Sequence, residues 1–285
     1  MNESNRFGGM GWERDLPDFR DYAREATEVK TVLAKSRSFK TAKSTLPKST
    51  DLRQWCSPIE DQGNLGSCTA NAGVSLVEYF QRRAFGKYLN GARLFLYKAT
   101  RNLLGWTGDQ GAYLRDTMKA LVLFGVPPET YWPYKISKFD DEPPAFCYAF
   151  GQSFKAIKYY RLDPRGTSSS QALSAVRQSL AGGLPSMFGF SVYSSMPGVN
   201  DGTGDIPMPQ PGDKLEGGHA MVAVGYDDAK KIGKEKGALL IRNSWGTAWG
   251  EKGYGWLPYA YVEEGLAVDF WSLVDAEFVN TDLFK

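Results

Sequence analysis

The amino-acid sequence predicts an α+β fold in which a helix-rich half precedes a strand-rich half. Apolar residues spaced by three or four recur over residues 51–150, whereas residues 151–285 carry short apolar runs separated by glycine, proline and aspartate. Of the 285 residues 42% are apolar, enough to fill a core, and the 31 glycines and 15 prolines indicate many turns. Length and composition together predict one large globular domain or two packed halves.

Residues 1–50 differ in composition from the rest and are interpreted as an N-terminal arm. Residues 29–49 contain basic residues among serine and threonine but no acidic residue, which is typical of a linker. Before them, Trp12, Phe19 and Tyr22 lie among charged residues with no helical or strand period. Because these aromatics are poor choices for a free tail, we expect this part to pack on the body. It is either a surface strap or a segment that covers a functional cleft.

Three apolar stripes in residues 51–150 predict three helices that face a core. The first helix begins at Cys68, and the third ends before the Gly125-Val126-Pro127-Pro128 string. The stripes are Val74, Val77, Phe80 and Ala84; Phe95, Ala99 and Leu103; and Leu114, Met118, Leu121 and Val122.

Residues 151–285 predict one helix and five short strands. Ser170 is the expected cap of a helix over 171–181 that ends at Gly182-Gly183. A loop is expected over 194–218; the spacing of Asp201 and Asp205 fits no EF-hand, so a plain surface loop is favoured over a calcium site. The predicted strands are Met187–Val192, His219–Tyr226, Ala238–Asn243, Gly253–Leu257 and Ala267–Leu273.

Charge and hydropathy exclude several classes of partner. The net charge of +2 gives no reason to expect nucleic acid. No stretch reaches the roughly 18 apolar residues that a membrane helix needs, so no membrane partner is expected. Residues 1–30 contain four arginines but no apolar run, so a secretory signal is not expected either, and the compartment stays open. We expect a monomer.

The three cysteines, Cys56, Cys68 and Cys147, do not form a disulfide framework, because an odd number leaves at least one thiol free. Two alternatives remain open. Cys56 and Cys147 pair and leave Cys68 free, or all three are reduced and two are inert core residues.

His219 is the only histidine, so chemistry that needs a base near neutral pH would have to use it. Three further residues complete a possible set: Gln62, Cys68 and Asn243. In that order they can supply an oxyanion donor, a thiol nucleophile and the residue that orients the base. Each residue alone is weak evidence, since a lone helical cysteine or histidine is more often a core residue.

Local context strengthens each role. Cys68 follows a glycine-rich turn and begins a helix, where backbone N–H groups and the helix dipole favour a thiolate, and an imidazolium partner would lower its pKa further. His219 and Asn243 stand at the edges of two apolar runs, so neighbouring strands would bring them together. Trp245 would then shield the Asn243–His219 bond from water.

Three strings resemble the motifs of the papain-like cysteine peptidases, bacterial branch. They are Gln62-Gly63-x-x-Gly66-Ser67-Cys68, His219-Ala220-x-x-Ala223-Val224-Gly225-Tyr226 and Asn243-Ser244-Trp245-Gly246-x-x-Trp249-Gly250-x-x-Gly253-Tyr254. The resemblance covers about 51–285. It implies a two-lobed fold: a helical lobe over 51–150 carrying Cys68, an antiparallel barrel-like lobe over 151–285 carrying His219 and Asn243, and a cleft between them.

The resemblance also implies peptide hydrolysis through an acyl-enzyme, with no cofactor and no metal. Gly111 and Ala112 lie in a string similar to the family's turn that pairs with substrate backbone, and Gly218 suggests a roomy pocket wall beside the histidine. With Trp245, these are the expected substrate-binding residues. Gly217 belongs to the same wall, and Asp269, Phe270 or Trp271 is expected to close the far end of the pocket. The substrate should lie extended, partly as an added strand.

The sequence departs from the family pattern at several positions. Leu65 and Asp109 stand where many members have a disulfide pair, and Thr69 replaces the usual aromatic after the nucleophile. The arm is shorter than typical propeptides and lacks their long helical pattern, so autoinhibition by that propeptide fold is not expected. Occlusion of the cleft by an extended arm remains possible.

The preferred interpretation is an endopeptidase that hydrolyses a peptide or protein substrate. Some relatives act as exopeptidases by clamping the substrate carboxylate with extra histidines, and here the one histidine is already used. A catalytically silent binding module on the same fold is the alternative, and acyl transfer to an amine is a weaker one. One histidine and scattered cysteines cannot supply a zinc site.

Overall fold

Helices occupy mainly the first half of the chain and a seven-stranded antiparallel sheet occupies the second, so the α+β prediction is confirmed. The computed structural model describes residues 7–34, 46–154, 158–199 and 201–274. In those residues the helices are α1 (Thr27–Leu33), α2 (Cys68–Phe85), α3 (Arg93–Leu104), α4 (Leu114–Leu123), α5 (Ala145–Gly151), α6 (Ser169–Ala181) and α7 (Tyr259–Glu263). Short 3-10 turns cover Arg53–Trp55, Glu129–Tyr131, Ile136–Lys138 and Gln152–Phe154.

The sheet has the order β4-β9-β5-β6-β7-β8, and β2 pairs with another part of β6. Its strands are β2 (Ser49–Asp51), β4 (Lys158–Arg161), β5 (Ser186–Tyr193), β6 (Leu215–Ile232), β7 (Glu235–Arg242), β8 (Tyr254–Pro258) and β9 (Ala267–Val274). A separate parallel pair joins β1 (Trp12–Glu13) to β3 (Ala112–Tyr113). The arm therefore contributes a strand to the helical part of the molecule.

Helix α2 connects the helical part to the sheet. Its apolar stripe is buried as predicted, and the helix packs against β6. It ends at Gly86, whose φ of 70° lets its N–H reach the carbonyl of Arg82. Because the helix is anchored along its length, its first residue, Cys68, is fixed at the junction with the sheet.

Several predicted boundaries were wrong. Ser168, not Ser170, caps α6, because Ser168 and Gln171 form a reciprocal capping box. Strand β6 starts at Leu215 inside the predicted 194–218 loop, because Gly217 and Gly218 pair with β5 although glycine favours a loop in the sequence. Asp205 in that loop pairs with Lys230.

The arm is more ordered than its linker composition suggested. Helix α1 lies within the predicted arm, with Val29 and Leu33 buried. The rest of that basic stretch up to residue 45 lies outside the described residues. Helices α5 and α7 and strands β1 to β4 were not predicted, since each is too short to show a period.

All three cysteines are free thiols, so of the two alternatives the structure has the reduced one. Cys56 lies in the main core, whereas Cys147 lies in a separate cluster with Ala92, Phe95 and Ala99. Among the residues described, none of the helices is both long and apolar enough to span a bilayer.

Candidate active site

The Cys68 thiol lies fully buried at the start of α2. Burial raises the pKa of this thiol to about 11, and backbone groups of Ala220, Gly11 and Thr69 only partly offset the effect. The expected lowering by the helix N-terminus and an imidazolium is therefore wrong for this state of the molecule: desolvation outweighs it. Cys68 is a neutral thiol here.

His219 and Asn243 are brought together by the pairing of β6 with β7. The imidazole Nε2 lies 2.8 Å from the Oδ1 atom of Asn243. Since Oδ1 can only accept, Nε2 carries the hydrogen and Nδ1 is the free acceptor nitrogen; within the described chain, Nδ1 has no hydrogen-bond partner. Burial lowers the pKa of His219 to about 4, and the bond to Asn243 opposes this shift.

Trp245 covers the imidazole. The two ring centroids are 4.6 Å apart and the planes are inclined by 32°. The indole is 1% exposed, so it separates the His219–Asn243 bond from solvent in the way the sequence suggested.

Gln62 is held rigidly beside this pair. Its Oε1 accepts a hydrogen bond of 2.5 Å from the Ser244 hydroxyl, and its Nε2 donates to the carbonyls of Leu65 and Gly9, each at 2.8 Å. The Gly9 carbonyl also accepts from the indole N–H of Trp245 at 3.3 Å. The N–H groups of Gln62 and Trp245 thus both donate to the Gly9 carbonyl of the arm. The sequence had indicated only Gln62 as a donor.

The arm covers the site with residues 8–13, here called the cleft segment. Its Gly9 N–H donates to the Gly63 carbonyl at 2.7 Å, and its Gly11 carbonyl accepts from the Ala112 N–H at 2.8 Å. A Cβ on Gly111, whose φ is +73°, would lie 2.1 Å from the Gly11 carbonyl oxygen. The backbones meet this closely only because side chains are absent.

All four predicted substrate-binding residues contact the cleft segment. Ala112 pairs with it, Gly111 lies against Gly11, and Gly218 lies beneath Trp12. Trp245 donates to Gly9. The arm therefore occupies the positions at which a substrate backbone was expected.

The carboxylate of Asp109 links its own segment to the segment that carries Leu65. Asp109 accepts hydrogen bonds from the Gly66 N–H at 3.0 and 3.1 Å and from the Tyr97 hydroxyl at 2.6 Å. The same hydroxyl accepts from the Gly111 N–H at 3.1 Å. A polar chain thus ties the nucleophile turn to the Gly111 turn, and neither Tyr97 nor Asp109 was predicted to do this.

Beyond the cleft segment, Arg115 on α4 clamps the arm. Its guanidinium donates to both carboxylate oxygens of Asp21, at 2.7 and 2.8 Å, to the Leu16 carbonyl and to the Asp15 carboxylate. A bidentate, partly buried pair of this kind is among the stronger ionic contacts in proteins. The arm is therefore fixed on both sides of β1.

Comparison with known proteins gives the family of this chain. The family model described as papain family cysteine protease matches residues 46–266. An uncharacterized peptidase C1-like protein of Acanthamoeba polyphaga mimivirus is 33% identical over 95% of this chain and 88% of its own length. Chymopapain from Carica papaya is 30% identical over 69% of this chain and 50% of its own length.

Solved structures show the same fold. The crystal structure of xylellain, a cysteine protease from Xylella fastidiosa, has a TM-score of 0.76 and 34% identity over 96% of this chain and 98% of that one. The bromelain protease from Ananas comosus, solved in complex with the E64 inhibitor, has a TM-score of 0.58 at 20% identity, over 80% of this chain and 99% of its own. With the match of the family model, these similarities show that this chain belongs to the papain family of cysteine proteases.

Proposed function

We propose that this cysteine peptidase cleaves internal peptide bonds through a thioester acyl-enzyme on Cys68, and that its arm holds it inactive until the cleft segment is displaced. The observation that carries the proposal is the His219–Asn243 bond. It leaves Nδ1 as an acceptor, and the Cys68 thiol contacts the backbone of Ala220, the residue after His219. A base with one nitrogen anchored and the other free can take a proton from a thiol and return it.

In the first half of the reaction, the sulfur of Cys68 attacks the substrate carbonyl carbon after its proton passes to His219. The Nε2 amide of Gln62 and the Cys68 N–H donate to the oxyanion. The C–N bond then breaks, and His219 gives its proton to the leaving amine. In the second half, His219 takes a proton from water, the hydroxide attacks the thioester, and the C–S bond breaks to release a carboxylic acid.

Inhibition by the arm is supported by what its groups occupy. The Gly9 carbonyl takes the N–H donor of Gln62 that an oxyanion would need. The cleft segment also buries Cys68 and His219, and burial moves their pKa values in the directions that keep both groups neutral. Because thiolate is the reactive form of cysteine, the closed state is unreactive.

Endopeptidase action follows from the single histidine, which bonds to Asn243 and leaves no second imidazole for a substrate carboxylate. The alternative, a silent binding module, is favoured by one observation: the thiol has no exposed surface. The two functions differ in whether displacement of the arm produces turnover. Acyl transfer would appear as an amide product when an amine is added.

The test measures hydrolysis of fluorogenic dipeptidyl amides under reducing conditions, with labelling of Cys68 by a thiol-directed epoxide followed by mass spectrometry. Gly9→Ala places a Cβ 2.1 Å from the Leu65 carbonyl oxygen and should displace the arm. We expect it to raise both turnover and labelling at least about tenfold, while Cys68→Ala abolishes both. Leu16→Ala, in an arm side chain that is 73% exposed, is the matched control and should change neither. Labelling without turnover in the Gly9→Ala chain would instead establish the binding module.

A further inference from the structure

A deep pocket beside the cleft holds the side chain of Trp12. The indole is 7% exposed, and its Nε1 donates to the Oδ2 atom of Asp269 at 3.1 Å. This space, here called the indole pocket, is bounded by Gly189 on β5, Gly218 on β6 and Asp269 on β9.

The pocket is shaped for a large flat ring. A Cβ on Gly189 would lie 1.9 Å from Cε2 of Trp12, and one on Gly218 would lie 2.8 Å from Cε3. Neither glycine has a backbone conformation that requires glycine. A glycine in the middle of a strand weakens it and commonly marks a place where another group approaches closely. The missing side chains therefore make room for the ring.

The end of the pocket is a buried acceptor that is held in place from behind. Oδ1 of Asp269 accepts from the Trp271 indole at 2.7 Å and lies 3.1 Å from Nη1 of Arg161. Asp269 has a φ of 65°, a strained conformation for a residue other than glycine, which persists only where the surroundings enforce it. Its Oδ2 faces Trp12. When the arm leaves, water can donate to Oδ2, and a ligand that displaces this water binds well only if it brings a donor of its own.

The charges around Asp269 favour a neutral donor over a cation. Arg161, which is 1% exposed, already serves as its counter-ion and also pairs with Asp163. Arg115 lies nearby with its guanidinium 5.8 Å from the Trp271 ring, and loses its partners Asp15 and Asp21 when the arm departs. Arg161 and Arg115 then balance the charges of Asp163 and Asp269, so a cationic side chain of the substrate would add an uncompensated charge.

We propose that the indole pocket binds a tryptophan side chain of the substrate and that Asp269 determines this specificity by accepting the indole N–H. This inference rests on the proposed peptidase function. Trp12 of the arm is then an internal occupant of the pocket, which substrate tryptophan replaces once the cleft segment moves.

The experiment uses the full chain, with and without Gly9→Ala, and two fluorogenic series, X-Ala and Ala-X amides. X is tryptophan, benzothienylalanine, phenylalanine or arginine. Benzothienylalanine has the same shape as tryptophan but carries sulfur in place of the N–H. Because arm opening scales every substrate equally on one enzyme, the ratio of kcat/KM values reports the pocket alone.

In one of the two series we expect tryptophan to exceed benzothienylalanine by about tenfold, the effect of one hydrogen bond to a carboxylate, and to exceed arginine. Asp269→Asn suits the positive φ, since asparagine tolerates that region. Trp271 and Arg161 donate at the Oδ1 position and should hold the amide oxygen there, which leaves the NH2 group, a donor only, facing the pocket and should reduce the ratio to near one. Asp205→Asn, which removes a carboxylate paired with Lys230 elsewhere, should preserve it.

Equal rates for tryptophan and benzothienylalanine in both series, or a preference for arginine, would overturn the specificity proposal and leave the peptidase proposal intact. Absence of hydrolysis of every peptide by both chains would overturn the two together. The wild-type ratio needs no variant, so the test remains decisive even if Asp269→Asn fails to fold.

Discussion

At the scale of single residues, burial separates the two reactive groups from the ionisation states that catalysis uses. It raises the pKa of Cys68 to about 11 and lowers that of His219 to about 4. A thiolate–imidazolium pair needs shifts of the opposite sign, which a neighbouring charge and solvent access provide. Under the proposed mechanism, burial keeps both side chains neutral until the cleft segment moves.

Gln62 has two roles that a substitution can separate. Gln62→Ala removes an oxyanion donor and should lower kcat by about 10²–10³-fold in the Gly9→Ala chain. It also removes the bond to the Gly9 carbonyl, so the arm should open more readily. Alkylation of Cys68 by iodoacetamide expels iodide and forms no oxyanion, and its rate in the Gly9→Ala background should therefore change less than about threefold.

The control for this prediction is Ser244→Ala, whose lost hydroxyl only orients the Oε1 atom of Gln62. We expect a loss of about tenfold in kcat, smaller than that for Gln62→Ala. A parallel fall in alkylation and turnover for Gln62→Ala would mean that Gln62 supports the fold of the turn and not the oxyanion.

The residues proposed for catalysis are those whose chemistry is visible in their type and local string. Gln62, Cys68, His219 and Asn243 could be named in this way, as could the cover provided by Trp245. The role of Tyr97 and the contacts of Asp109 could not, because their partners are set by tertiary contacts between distant segments. An isolated aspartate or tyrosine carries no local signal of such a contact.

At the scale of elements, the helix-versus-strand pattern was predictable where an element is long enough to show its period. Helix α2 begins at Cys68 as predicted, but β6 extends past its predicted ends at both sides. Its register shifts near Gly225 and between Asp227 and Lys231, so its alternation is interrupted there. Strands β1 and β3 have two residues each and exist only because they pair with each other.

The cap of α6 offers a direct test of an element boundary. Ser168 Oγ accepts from the Gln171 N–H, and Gln171 Oε1 accepts from the Ser168 N–H. Ser168→Ala should lower the free energy of unfolding by about 0.5–2 kcal/mol, measured by urea denaturation. Ser170→Ala is the matched comparison: the Ser170 hydroxyl contacts Ser168 Oγ at 3.2 Å, but it is Ser168 that accepts from the backbone, so the effect at Ser170 should be the smaller one, within about 0.5 kcal/mol. An equal loss of unfolding free energy in the two variants would mean that Ser170 serves as the cap.

At the scale of the whole molecule, the arm connects the two parts of the fold. Its cleft segment pairs with β3, its Trp12 lies against β5 and β6, and its acidic residues meet Arg115 on α4. Composition distinguished the arm from the body. Of the aromatics that predicted packing only Trp12 is buried, whereas Phe19 is 84% and Tyr22 47% exposed. The path over the cleft could not be predicted, because it depends on glycines on both surfaces, Gly9 and Gly11 against Gly66 and Gly111.

Closure of the arm should depend on pH through the groups that it buries. With the cleft segment displaced, the pKa of His219 should return from about 4 toward its solvated value of about 6.5. Between these values the open state binds a proton at His219 that the closed state does not, so this group alone favours opening on acidification by up to about tenfold per pH unit. Two other groups act against this effect. Asp269, whose pKa burial beneath Trp12 raises to about 7, binds a proton in the closed state, and in the open state the Cys68 thiol can supply the proton of His219 without net proton uptake. The effect of His219 should therefore be measurable in a chain that carries Cys68→Ala and Asp269→Asn.

Hydrogen exchange of residues 8–13, corrected for intrinsic rates, measures this equilibrium between pH 5 and 7. The chain carrying Cys68→Ala and Asp269→Asn should lose protection as the pH falls. Adding His219→Gln removes the remaining titrating group of the site and keeps the carboxylates of Asp15 and Asp21 facing Arg115, so protection should then stay nearly constant over this range. If both chains lose protection equally, the arm is released by its own ion pairs and the burial of His219 has no part in holding it closed.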